Sequence, residues 1–267
     1  MTTGIQVRLL ADEIKKWIVL NEKKILEIGC GNGDLLRYIA KYHTPELIIG
    51  IDPGLESWWK TGECSGESWK VMSGDAEQLE FPENYFDAVI SVSTFEHIGD
   101  IAKALSEIKR VLKPYGRYYT SFMPIWTSII GHHFVAPEDD IWNEEHLALI
   151  PPWGHLYMTE DELRIHLESN GAGEELIQQM LNFIYHSNII NRIPKREIVD
   201  EIHKCGMALR FYSEQLMFSR FAVGKPVYGQ SELTEEIAGK ILAKGYSLSD
   251  IGVSGMKICL EKISACA

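Results

Sequence analysis

Ile25-Leu26-Glu27-Ile28-Gly29-Cys30-Gly31-Asn32-Gly33-Asp34-Leu35 is the stretch on which the fold turns. An apolar run ends in three alternating glycines, and a helical pattern from Leu35 to Tyr42 follows at once. That order reads as strand, tight turn, helix. Glycines at such a turn allow positive φ and let bare backbone approach a ligand closely. The helix start behind them supplies unpaired N–H groups and the positive end of a dipole. A nucleotide-type ligand is expected above the turn.

The spacing narrows the choice. A dinucleotide fingerprint sets its third glycine three residues after the second, so that helix and strand pack closely. Here that position is Asp34, and the third glycine comes early, at Gly33. Glu27, inside the strand end, would crowd a pyrophosphate but suits a cation. The apolar run Leu47 to Ile51 reads as a second buried strand ending in Asp52-Pro53. An acid there is placed to hydrogen-bond a ribose diol. A third strand, Trp69 to Met72, leads to Gly74-Asp75-Ala76, and a fourth, Ala88 to Val92, opens into Ser93-Thr94-Phe95-Glu96-His97-Ile98. Leu112-Lys113-Pro114-Tyr115-Gly116 separates a helix, Ile101 to Leu112, from a fifth strand, Tyr118 to Phe122.

Together these segments resemble the class I S-adenosylmethionine (SAM) methyltransferases. Glu27-x-Gly29-x-Gly31-x-Gly33 resembles their first motif, and the interval from Asp75 to Phe86-Asp87-Ala88-Val89 is similar to theirs. The resemblance covers Ile25 to Phe122 closely and Pro194 to Ile263 loosely. It implies an α/β, doubly wound, seven-stranded and mostly parallel Rossmann-like sheet with one antiparallel strand. It implies SAM as cofactor and S-adenosylhomocysteine as product. Glu27, Gly29, Gly31, Gly33, Asp52, Pro53, Asp75, Ala76 and Ser93 would bind SAM. Of these, Asp75 would meet the adenine amino group, the Ala76 N–H the ring, and the Ser93 segment the methionine part.

About 70 residues stand between the fifth strand and the next core helix, more than a connecting loop needs. Three regions follow: a SAM-binding core over 1–123, an inserted helical lid or acceptor-binding region over 124–193, and the rest of the core over 194–267. Thr159 with Glu162 three residues on marks one helix start in the insertion, and Glu174 to Tyr185 gives another. Pro194 to Cys205 should return to the core as a helix, followed by a strand from Leu209 to Met217, a helix from Lys240 to Asp250 and a last strand from Met256 to Ile263. Val7 to Leu20 spaces its apolar residues as a leading helix, and Ser57 to Gly66 reads as a short helix and loop.

Six of the nine histidines lie in the insertion: His132, His133, His146, His155, His166 and His186. Methyl transfer to a hydroxyl or a carbon acid needs a base, and histidine titrates near neutrality. His133 and His155 are the candidates for that role, with His97 as the third. A divalent ion held by His132, His133, Asp139, Asp140, His146 and His155 is the alternative. Their spacing fits no ligand signature, so no metal is expected.

Composition sets the outer limits. The chain has 267 residues, 45% of them hydrophobic, and a formal net charge of −12. That charge repels phosphate backbones and anionic lipid, so a small molecule is the expected partner rather than nucleic acid or membrane. Five cysteines without a Cys-x-x-Cys pair suit a reduced compartment, and the first ten residues lack the layout of a signal peptide. A cytoplasmic enzyme making O-methyl products of sugar or secondary-metabolite type is expected. Transfer to carbon or nitrogen, a non-catalytic SAM-binding module and an NAD-dependent oxidoreductase are its rivals.

Overall fold

The structure, a computed structural model, describes residues 4–54, 64–135, 144–216 and 233–264. One compact unit comprises Thr2–Phe122, Val199–Ser213 and Met256–Ala267; the other comprises Met123–Ile198 and Glu214–Gly255.

The first unit is built on the sheet. Its strands are β1 (Lys24–Ile28), β2 (Leu47–Asp52), β3 (Cys64–Ser65), β4 (Trp69–Ser73), β5 (Phe86–Val92), β6 (Leu112–Phe122), β7 (Ala208–Leu216) and β8 (Val253–Glu261). They lie in the order β3-β4-β2-β1-β5-β6-β8-β7. The β1–β2, β1–β5, β2–β4 and β5–β6 pairs are parallel, whereas β8 runs antiparallel to β6. The expected seven strands are therefore present, and the two-residue β3 adds an antiparallel edge on β4. Parallel strands must be covered on both faces, which is why Ile25, Leu26, Ile28, Ile48, Ile51, Val89 and Ile90 form near-continuous apolar runs, all of them buried.

Helix Asp34–Tyr42 drops Leu35, Leu36 and Ile39 into the cluster that holds Ile25, Ile48 and Val71. Truncating a fully buried leucine such as Leu36 to alanine costs about 2–5 kcal/mol in cores of this kind. The leading helix is shorter than its periodicity, Gly4–Ile14, and ends in a turn through Trp17. Helix Ile101–Val111 starts on Asp100, whose Oδ1 accepts the Lys103 N–H at 2.9 Å. The fifth strand begins six residues earlier than expected, because Leu112 already pairs with Phe86 across a bulge.

The second unit is mainly helical. It contains helices Glu144–Leu149, Gly154–Tyr157, Glu160–Ser169 and Glu174–Leu181, the last continued by a π-helical turn, Asn182–His186. Thr159 and Glu162 form the expected capping box. Trp126, Ile129, Phe134, Trp153, Leu156, Leu163, Met180, Ile241 and Ile251 share its core. The single helix expected over Lys240 to Asp250 is two, Glu235–Ala243 and Leu248–Ile251. Gly245, at φ 89°, breaks the chain between them, and Ser247 with Asp250 starts the second.

Most of the short helix expected over Ser57 to Gly66 lies outside the described residues, as do Asp139 and Asp140; Cys64 and Ser65 are strand instead. No described helix is long and apolar enough to cross a membrane.

Candidate cofactor site

The glycine turn sits where parallel strands end. Gly29, Gly31 and Gly33 have φ of 70°, 48° and 72°, values that a side chain at any of these positions would oppose. The turn is strapped to β2: the Gly29 and Cys30 N–H groups donate to the Ile51 carbonyl at 2.8 and 3.1 Å. Asp52 completes the strap, its Oδ2 accepting the Gly31 N–H at 3.0 Å and its Oδ1 the Gly54 N–H at 2.8 Å. Asp52 thus shapes the turn, and each of its oxygens keeps a second acceptor position for a diol.

On the other side, Thr94 closes against the turn. Its Oγ1 donates to the Val92 carbonyl at 2.9 Å, and a Cβ on Gly29 would stand 2.2 Å from that oxygen. Only a glycine fits there. Ser93 holds the left-handed φ of 49° that presents this loop, tied by its N–H to the Ser121 carbonyl at 2.8 Å. Asp75 is exposed and Ala76 buried in the turn after β4, where Asp75 Oδ1 accepts the Glu77 N–H at 2.8 Å. Pro53 is exposed at the end of β2. These residues all stand at the carboxyl ends of β1, β2, β4 and β5, the edge where open α/β sheets bind ligands.

Glu27 is the unusual member. It is 5% exposed, and its Oε2 is buried with no hydrogen-bond partner. Burial pushes its carboxyl up to about 8, although the Leu36 N–H, in the first turn of the following helix, donates to it. A buried acid carrying an unused acceptor beside a glycine cradle fits a cationic nucleoside such as SAM.

His97 ends the short 3₁₀ turn Phe95–His97 after β5 and is exposed. The other two histidine candidates belong to the helical unit. His133 is half-buried with φ 59°. His155 is 4% exposed, and its Nε2 donates to the Trp126 carbonyl at 2.7 Å. Burial lowers its protonation to about pH 4. His132, 1% exposed and with its ring 5.4 Å from that of His155, is likewise held neutral by burial.

That pair carries a stability consequence. Both imidazoles titrate lower in the folded chain than in the unfolded one, so the unfolded state takes up protons first as pH falls. Their contribution is present above about pH 6.5 and declines from there towards pH 4, by on the order of 3 kcal/mol for His155 alone. Tryptophan fluorescence should show acid unfolding of the helical unit beginning in that window. A His155→Gln variant should move it to lower pH; an unmoved transition would contradict the account.

Thr94 against Gly29, and the Leu36 N–H on Glu27, escaped the sequence reading. The first joins strands more than 60 residues apart. The second was signalled by the strand–turn–helix pattern itself, since N–H groups of a first helical turn seek an acceptor.

A family model described as "Methyltransferase domain" matches residues 26–120. The chain is 32% identical over 173 residues to a ubiquinone/menaquinone biosynthesis C-methyltransferase of Cupriavidus metallidurans, covering 62% of this chain and 70% of that one. It is 26% identical over 197 residues to a fatty-acid O-methyltransferase of Mycolicibacterium smegmatis, covering 72% of this chain. The chain spans 62% of the length of that O-methyltransferase, and 26% of that of an Aspergillus fumigatus sterol 24-C-methyltransferase. Among solved structures, a SAM-dependent methyltransferase from Mesorhizobium loti shares the fold at a TM-score of 0.55 and 12% identity, over 94% of this chain and 96% of the other. With the glycine turn, the strand order and the relative matched over 70% of its length in agreement, the chain belongs to the class I SAM-dependent methyltransferases.

Proposed function

We propose that the protein transfers the methyl group of SAM to an oxygen of a small hydroxylated acceptor. The observation that carries the SAM part of this reading is the cradle itself: backbone of Gly29–Gly33, Asp52 strapped beneath it, and the partnerless buried oxygen of Glu27. SAM supplies a methyl on a sulfonium, whose sulfur leaves as a neutral thioether, so no leaving anion needs stabilising. The chain's tasks are to orient the acceptor oxygen in line and to accept its proton.

We assign the proton to His97 or His133 and give His155 a structural role, because its Nε2–H is already committed to the Trp126 carbonyl. The helical region over 124–193 is proposed to supply acceptor-binding residues, in a cytoplasmic enzyme. A second reading, transfer to carbon, is favoured by the relatives named as C-methyltransferases.

Incubation with SAM and a panel of fatty acids, sterols and hydroquinones tests both, with mass spectrometry for a gained methyl and NMR to place it on oxygen or carbon. NAD binding without SAM binding in calorimetry would sink both. Asp52→Ala should weaken SAM about tenfold or more, since it removes a ribose acceptor and loosens the Gly31 strap; unchanged affinity would remove Asp52 from the site.

A further inference from the structure

Glu27 has more acceptor capacity than its place in the fold uses. It is the fourth residue of β1, level with Gly50 on β2 and Ile90 on β5. Gly50 offers the carboxyl no side-chain partner, and the space a Cβ would take there is filled by the Cys30 Sγ and Leu36 Cδ1. The Leu36 N–H accounts for one bond to the carboxyl; Oε2 has none.

The charges around it compound the problem. On the helix side stand Asp34 and Arg37, paired with each other at 2.9 Å. On β2 stands Asp52, and at the turn the Cys30 thiol, itself held neutral by burial. On β5 the neighbours are Ile90 and Ser91, whose hydroxyl is engaged with Tyr118 and Thr120 at 2.7 and 2.8 Å. Two acids and one committed guanidinium thus surround a desolvated carboxyl, which favours its protonated form in the ligand-free chain.

A cation over Gly29–Gly33 reverses that balance. We propose that Glu27 gives up its proton when SAM binds, so that the cradle distinguishes sulfonium from thioether by charge and holds S-adenosylhomocysteine less tightly. The proton passes to solvent, and no covalent bond to the ligand is involved. The inference rests on the methyltransferase reading and deepens it: Glu27 becomes the residue that makes SAM capture proton-coupled and favours product release.

Calorimetry of the full chain with SAM near pH 7, in phosphate and in Tris, counts the protons released. The wild type should release between about half and one proton more than Glu27→Gln, which keeps an acceptor for the Leu36 N–H. The α-amino group of the ligand, with an ordinary pKa near 8, titrates equally in both and cancels. S-adenosylhomocysteine should release fewer protons than SAM. SAM affinity of the wild type, relative to the glutamine variant, should fall up to about tenfold per pH unit below neutrality. Should the glutamine variant misfold, infrared spectra of the wild type serve, since the C=O stretch of a protonated carboxyl should vanish on adding SAM. Equal proton counts in wild type and variant, or no change in that stretch, would overturn the proposal and leave the methyltransferase reading standing. SAM that failed to bind the wild type at any pH would overturn both.

Discussion

Gly29→Ala should cost at least about a hundredfold in SAM affinity, an expectation built from two independent penalties. The added Cβ would meet Thr94 Oγ1 at 2.2 Å and Cγ2 at 2.4 Å, inside any real contact. Thr94 cannot easily retreat, because the same oxygen bonds the Val92 carbonyl at 2.9 Å. The backbone, at φ 70°, would also leave the conformation that glycine alone adopts freely, at about 1–2 kcal/mol. Relief of either strain must move the turn, and with it the straps to Ile51 and Asp52 that shape the cradle. Each 1.4 kcal/mol is a factor of ten, so a shift that cost two of the cradle's hydrogen bonds suffices. Calorimetry on Gly29→Ala and on Gly29→Ala with Thr94→Gly separates the causes. The double variant should recover part of the affinity, and a double variant no better than the single would place the damage in backbone strain alone.

The histidine pair offers the largest effect on turnover. If a hydroxyl is the acceptor, either His97→Ala or His133→Ala should lower kcat by about 10²–10⁴-fold while SAM affinity stays within about twofold. His155→Gln should act mainly through stability, because that ring is bonded into the helical core rather than presented to a reactant. Single-turnover measurements under saturating SAM discriminate these cases. Should both His97→Ala and His133→Ala keep full turnover, the base assignment fails and a carboxylate acceptor, whose oxygen is already ionised, becomes the better reading. The acceptor class is thus readable from the sensitivity of the reaction to two imidazoles.

How much of this was legible in the sequence follows from how far apart the interacting residues lie. The strand–turn–helix at Ile25–Tyr42 was legible because its cues are contiguous: an apolar run, alternating glycines, then helical spacing. Asp52 was legible because it closes a strand whose apolar run stops abruptly, and Asp75 through the resemblance of its segment to the methyltransferases. The helical unit was harder. Its packing joins Trp126 to His155 and, through an indole bond of 3.0 Å, to Tyr246, 120 residues away. No local periodicity encodes such pairs, and residues 214–255 could not be read as part of that unit. The glycine at 245 was visible in the sequence, yet Lys240 to Asp250 reads as one helix across it. The place of Glu27 inside the strand end was legible; that it is buried and keeps an oxygen in reserve was not, because orphan atoms exist only in three dimensions.

The placement of β8 between β6 and β7 bears on how the protein is made. Arg117 on β6 reaches Glu261 on β8 at 2.9 Å across 144 residues of sequence. On a ribosome, β1, β2, β4, β5 and β6 emerge together and can assemble early, as parallel neighbours already complete around the cradle. β6 must nevertheless wait as a bare edge, and β7 without its neighbour, until synthesis passes residue 261. During that interval the nascent chain exposes an unpaired strand that invites mispairing.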